Sequence, residues 1–163
     1  MDGLATAVVD KAGRLSVCAL GAGVALTPHV VAARQNLHLI VDGGRSVPGL
    51  GTDAGGRWGT ARNQTQFTWR SALGTDRAGN LLYVAGNGLD LVHLAQALTA
   101  VGAVQGMELD MHRGMVSFAS WAPAGGGGAT VAPTELLPDM TRGADRYLAA
   151  DQRDFSYLTV RGG

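Results

Sequence analysis

The chain has 163 residues with 13 basic and 13 acidic side chains, so its formal charge is zero. That length is expected to form one domain spanning residues 1–163, burying roughly two-thirds of the surface of the unfolded chain. A zero balance supplies no global field for nucleic acid or an anionic membrane, and a basic-patch binder is excluded as the leading reading.

Lysine occurs once, at Lys11, against twelve arginines. With abundant alanine and glycine, this reads as the codon bias of a GC-rich, bacterial genome. The one cysteine, Cys18, has no internal disulfide partner and is expected as a small buried hydrophobe. No apolar run reaches transmembrane length. The N-terminus lacks a basic segment followed by an apolar stretch. The expected form is soluble with no export signal in this chain, and its compartment stays open.

Leu4 to Val9 and Leu15 to Leu20 are apolar strands joined by Asp10-Lys11-Ala12-Gly13-Arg14, a hairpin turn. Thr27-Pro28 has the form of a helix start, with threonine as N-cap and proline at the first helical position, and predicts a short helix over about 28–35. Leu37 to Val41 is the next strand. It runs into Asp42-Gly43-Gly44-Arg45, where the glycines serve either a tight turn or the close approach of a ligand. Pro48 to Gln64 reads as loop, and Asn63-Gln64-Thr65 as an idle glycosylation match.

Phe67 to Ser71 resumes as a strand, with Phe67, Trp69, Ser71 and Leu73 on one face and Arg70 on the other. Asp76 to Asn80 is a second hairpin turn into Leu81 to Ala85. Asp90 then caps a helix over about 90–101, on which Leu91, Leu94, Ala95, Leu98 and Val101 recur at helical spacing. Gly102 stops it. Val104 to Asp110 and Met115 to Ser120 follow as strands, and Gly125 to Gly128 as an exposed loop. Leu137-Pro138-Asp139 reads as a turn and Phe155 to Val160 as a last strand. The expected class is α/β in the α+β sense: a mixed, largely antiparallel sheet built from hairpins, with the two helices packed on it.

The chemistry concentrates in Glu108-Leu109-Asp110. Alternation puts Met107, Leu109 and Met111 on one face of the strand and Glu108, Asp110 and His112 on the other. Carboxylates two residues apart on a strand have Cα atoms roughly 6.5–7 Å apart. Such a pair suits glycosidic cleavage, one carboxyl protonating the leaving oxygen while the other acts as base or nucleophile. Close like charges raise the pKa of one of them. The alternatives for Glu108 are an ion pair with Arg70 or the capping of a turn. Arg70 itself is expected either to grip phosphate with its guanidinium fork or to form a structural ion pair with Asp110 or Asp42. No metal or cofactor is expected, because Glu108, Asp110 and His112 on one strand face converge poorly on an ion. His93 reads as a surface or packing histidine. No nucleophile elbow, phosphate loop or dinucleotide fingerprint is present, although Gly86-Asn87-Gly88 precedes the helix.

The order Arg70-Ser71-Ala72-Leu73-Gly74, hairpin, capped helix ending at Gly102, then Glu108-Leu109-Asp110 resembles the phosphodiester glycosidase family, most clearly from about Asp42 to Trp121. The resemblance implies a hydrolase that cleaves a sugar from a sugar phosphodiester or related glycan. Asp110 would be catalytic with Glu108 as partner, and Arg70, Asp42, Gly43, Gly44, His112 and Arg113 would hold substrate. Where the family keeps glycine-glycine-glycine-serine after the aspartate, this chain has Met111-His112-Arg113-Gly114. It also begins after the family's asparagine-glycine-glycine segment, which implies a truncated member or a second chain that supplies the missing part. Bacterial members are often exported. The resemblance leaves two other outcomes: a non-catalytic carbohydrate- or phosphate-binding module, and a fragment that self-associates through open sheet edges.

Overall fold

The computed structural model describes residues 1–21, 25–52, 55–123, 131–152 and 155–159. They fall into two units, Met1–Val116 and Ser117–Gly163.

In the first unit β1 (Ala5–Asp10) pairs antiparallel with β2 (Leu15–Ala19) through the expected hairpin. Its other edge is taken by β3 (Val30–Gln35), which gives the order β2-β1-β3. This corrects the helix expected over 28–35. Thr27 accepts the amide of His29 on its hydroxyl at 3.3 Å and that of Val30 on its carbonyl at 2.9 Å, so threonine and proline shape a turn. The β-branched Val30 and Val31 then continue as extended chain, and the free edge of β1 finds a partner.

The second sheet has the order β5-β4-β8-β6-β7. Its strands are β4 (Leu39–Asp42), β5 (Arg45–Ser46), β6 (Thr68–Thr75), β7 (Leu81–Leu89) and β8 (Gln105–Met111), every pairing antiparallel. Gly43 and Gly44, at φ 57° and 79°, form the two-residue turn between β4 and β5, the geometry a primed hairpin turn requires. Before β6 lies a short helix, α1 (Ala61–Thr65), capped by the Thr60 hydroxyl on the Asn63 amide. This helix replaces part of the loop expected over Pro48 to Gln64; α1 has no apolar stripe to announce it.

α2 (Leu91–Ala100) matches expectation, with Asp90 as N-cap. Its Leu91, Leu94, Ala95 and Leu98 join Ile40, Val41 and Ala72 in a core on one face of the five-stranded sheet. On the other face Leu39 and Met107 meet Ala5 and Val17 of the three-stranded sheet. The layers are therefore helix, sheet, sheet. A register shift in β4 between Leu39 and Val41 turns Ile40 and Val41 together toward the helix while Leu39 faces the other way. Cys18 is half-buried, and desolvation pushes its thiol up.

The second unit contains the hairpin of β9 (Ala119–Pro123) with β10 (Val131–Glu135) and a turn of 3-10 helix at Arg146–Leu148. The strand expected over Met115 to Ser120 begins only at Ala119, because the amides of Met115 and Val116 bond back to the His112 carbonyl in a turn. The Leu137 turn is present, with the Met140 amide on the Leu137 carbonyl. Residues 155–159 form no strand; Tyr147 and Phe155 stack there at 4.3 Å. Val160 and the expected loop at Gly125 to Gly128 lie outside the described residues. No helix among the described residues is long and apolar enough to cross a membrane.

Candidate functional site

β6 and β8 position the candidate residues, and a bulge between them does most of the placing. Ala72 lies opposite Glu108, but two residues earlier on β6 Arg70 lies opposite Met111, so β8 carries an extra residue between these pairs. Cross-strand partners share a face. Met111 therefore sits on the face of Arg70 and Glu108, and the strict alternation expected through His112 stops at the bulge. A buried serine and a half-buried asparagine fix the distorted backbone. The Ser71 hydroxyl donates to the Asp110 carbonyl at 3.3 Å and accepts the Asp110 amide at 3.2 Å. Asn36 donates to the carbonyls of Glu108 and Leu109 at 2.9 and 3.2 Å. The Asp110 side chain ends exposed at the mouth of the strand.

Arg70 and Glu108 are paired. The Arg70 Nη1 to Glu108 Oε1 distance is 2.5 Å, and the residues are 1% and 4% exposed. Of the alternatives for Arg70 and Glu108, their mutual ion pair is the one the structure contains. The rest of the guanidinium is also engaged. Nε donates to the Leu89 carbonyl at 2.9 Å, and Nη2 donates to the carbonyls of Asn63 and, at 3.1 Å, Gln66. The last two belong to the C-terminal end of α1, where a cation also suits the helix dipole. One buried fork thus ties α1, the end of β7 and β8 together, and does not reach the surface where a phosphate would sit.

Burial pushes the Glu108 carboxyl up. Arg70 opposes that shift, the negative charge of Asp110 adds to it, and the result lies above the ordinary 4.5. The folded protein then keeps this proton to higher pH than the unfolded chain does. The stabilisation linked to it is complete below pH 4.5 and is lost as pH rises through the folded value. Glu108→Gln has nothing to titrate there. From pH 4.5 to neutrality the stability of the wild type relative to this variant is expected to fall. Denaturant unfolding at several pH values measures the difference, and a flat difference would show that Arg70 outweighs burial.

His112 and Arg113 are exposed beyond Asp110. His112 has φ 79°, a left-handed conformation costing a non-glycine residue about 1–2 kcal/mol. This backbone therefore takes a conformation that glycine adopts freely, under an imidazole side chain. Asp110, His112 and Arg113 therefore cluster at one end of β8. Asp42, Gly43 and Gly44 do not join them. Asp42 is opposite Gln105, whose amide donates to it at 2.7 Å, and Asp110 lies five positions further along the strand from Gln105, about 17 Å. Among the described residues no group of three or more His, Cys, Asp or Glu side chains is arranged to hold a metal ion.

Sequence reasoning missed Asn36, Ser71 and the Asp90–His93 pair. Asp90 Oδ1 accepts the His93 amide at 2.8 Å and lies 2.7 Å from His93 Nδ1. The legible signal was the histidine three residues after an N-cap aspartate, where the capping partner is usually Glu or Gln.

No family model and no characterised protein sequence matches the chain. The fold is shared with the catalytic domain of zebrafish N-acetylglucosamine-1-phosphodiester alpha-N-acetylglucosaminidase, solved auto-inhibited by its pro-peptide. The TM-score is 0.55 at 19% identity, over 69% of this chain and 41% of that one. The chain thus spans less than half the length of this structural neighbour. A hypothetical protein from Synechocystis aligns at a TM-score of 0.40 and 21% identity, over 68% of this chain and 29% of that one. At such identity the zebrafish neighbour establishes a distant relationship of fold.

Proposed function

We propose that the protein is a hydrolase that cleaves the glycosidic bond of a sugar phosphodiester. The observation that carries this reading is the placement of Asp110: an exposed carboxylate on a braced bulge, backed by the buried Glu108 whose carboxyl is pushed up. The shared fold with a phosphodiester glycosidase domain supports it. In this reading Asp110 meets the substrate, and water adds to the anomeric carbon as its bond to the phosphate oxygen breaks. Free sugar and a phosphomonoester leave. Arg113 and His112 hold the phosphate, while Glu108 and Arg70 act behind Asp110 by fixing the strand that carries it.

Asp110→Asn is expected to abolish sugar release from a sugar-phosphodiester substrate with the melting temperature unchanged. Turnover equal to wild type would remove Asp110 from the mechanism. A second reading, a non-catalytic carbohydrate- or phosphate-binding module, is favoured by the engagement of Arg70 and Glu108 with each other. Titration with sugar phosphates separates the two, since binding without product after long incubation supports the module.

A further inference from the structure

We propose that the exposed ring of Phe67 and the imidazole of His93 form a platform for a neutral pyranose ring. Phe67, between α1 and β6, is 62% exposed, and the His93 side chain is 54% exposed. Their ring centroids lie 5.6 Å apart with planes tilted by 52°. Arg70 bonds the carbonyls of Gln66 and Leu89, the residues immediately before Phe67 and Asp90. The ion-paired guanidinium therefore fixes the backbone beneath both halves of the platform, the support a binding surface needs.

The chemistry of the ligand follows from what surrounds it. Burial pushes the Asp90 carboxyl up, but the His93 amide, the His93 ring and the field of Arg70 outweigh it and hold the group below the usual carboxylate range. An ionised Asp90 only accepts, so His93 Nδ1 carries the hydrogen toward it and Nε2 is the ring nitrogen left to bond a hydroxyl. The Asp90 charge also repels anions, and Arg70 is spent on its own partners. An aromatic face beside a ring nitrogen that can bond a hydroxyl, with negative charge behind, fits the apolar face and hydroxyl rim of an uncharged sugar.

This rests on the glycosidic reading above and supplies its sugar subsite. Methyl pyranosides, among them methyl N-acetylglucosaminide, are titrated against wild type, Phe67→Ala, His93→Ala and Phe67→Tyr, with saturation transfer and the His93 ring protons as readouts. Both alanine variants are expected to bind about three- to tenfold more weakly at unchanged melting temperature, the scale of one aromatic contact, while Phe67→Tyr retains binding. Affinity equal to wild type in both alanine variants would overturn the proposal. So would binding of inorganic phosphate at the His93 ring in place of the neutral sugar. If wild type hydrolyses a sugar phosphodiester while Phe67→Ala keeps its KM, the platform fails and the glycosidase reading stands. If pyranosides bind through Phe67 without any turnover, the glycosidase reading fails and the platform stands.

Discussion

Arg70→Ala is expected to lower the free energy of unfolding by about 3–5 kcal/mol, a large share of the stability of a domain this size. The loss comes less from the ion pair's own attraction than from what its removal strands. Glu108 is left in a buried position without its counter-charge, and the carbonyls of Asn63, Gln66 and Leu89 lose their shared donor. Removing one partner of a buried pair is costly because the other keeps its desolvation penalty. Urea unfolding of the variant measures the effect. A companion variant, Arg70→Met with Glu108→Leu, separates the ion pair from the carbonyl network. It is expected to recover part of the loss, because both charges go together, but not all, because the three carbonyls remain without a donor. A cost below about 1 kcal/mol for Arg70→Ala would mean that water reaches the pocket and that the pair does not brace α1 and the sheet.

Gly106→Ala is the second large effect, expected to cost about 1–3 kcal/mol by overpacking. Gly106 lies opposite Gly74 in the β6–β8 register, and Leu98 of α2 fills the groove that the two missing side chains leave. A Cβ on Gly106 would occupy the place of the Leu98 Cδ2 methyl and stand 3.3 Å from the Val41 Cβ. Gly74 is confined by backbone, with the Gln105 carbonyl oxygen 2.8 Å from the added atom. Leu98→Ala alone should cost about 2–5 kcal/mol by opening a cavity. Combined with Gly106→Ala, it should cost less than the sum, since the new methyl enters the space the leucine vacates. Strict additivity across this cycle would show that the helix shifts to accommodate the methyl, and that the two glycines do not set its distance from the sheet.

The distribution of Arg70's bonds changes how its role is understood. A guanidinium fork on a strand face invites a phosphate in one dimension of sequence, because its chemistry matches. In three dimensions the same fork is surrounded by carbonyls from α1 and β7 and by Glu108, and these satisfy it first. Arg113, three residues after Asp110, is exposed. Substrate contact in the proposed hydrolase therefore moves off the sheet face and onto the turn that follows β8.

Local sequence determined a great deal here. Asp90, the leucine spacing and Gly102 specified α2 to within a residue or two, since a cap, a stripe and a stop are all local properties. The hairpins at Asp10 and Asp76 and the Gly43-Gly44 turn were legible for the same reason. Asp110 and Glu108 stood out as charges in an apolar strand. Tertiary structure decided the rest. Val30–Gln35 became a strand because the edge of β1 needed hydrogen bonds, a demand arising from residues twenty or more positions away. The α1 helix is held at its end by Arg70, whose partners could not be read from their own neighbourhood. Register was equally hidden. The bulge that turns Met111 onto the face of Glu108 depends on how β8 meets β6, with Ser71 and Asn36 bracing it, and no period within one strand encodes that meeting. The sequence alone supplied the charged and aromatic side chains; only the pairing of strands decided which of them reach the surface, because burial is a property of the neighbours a residue acquires on folding.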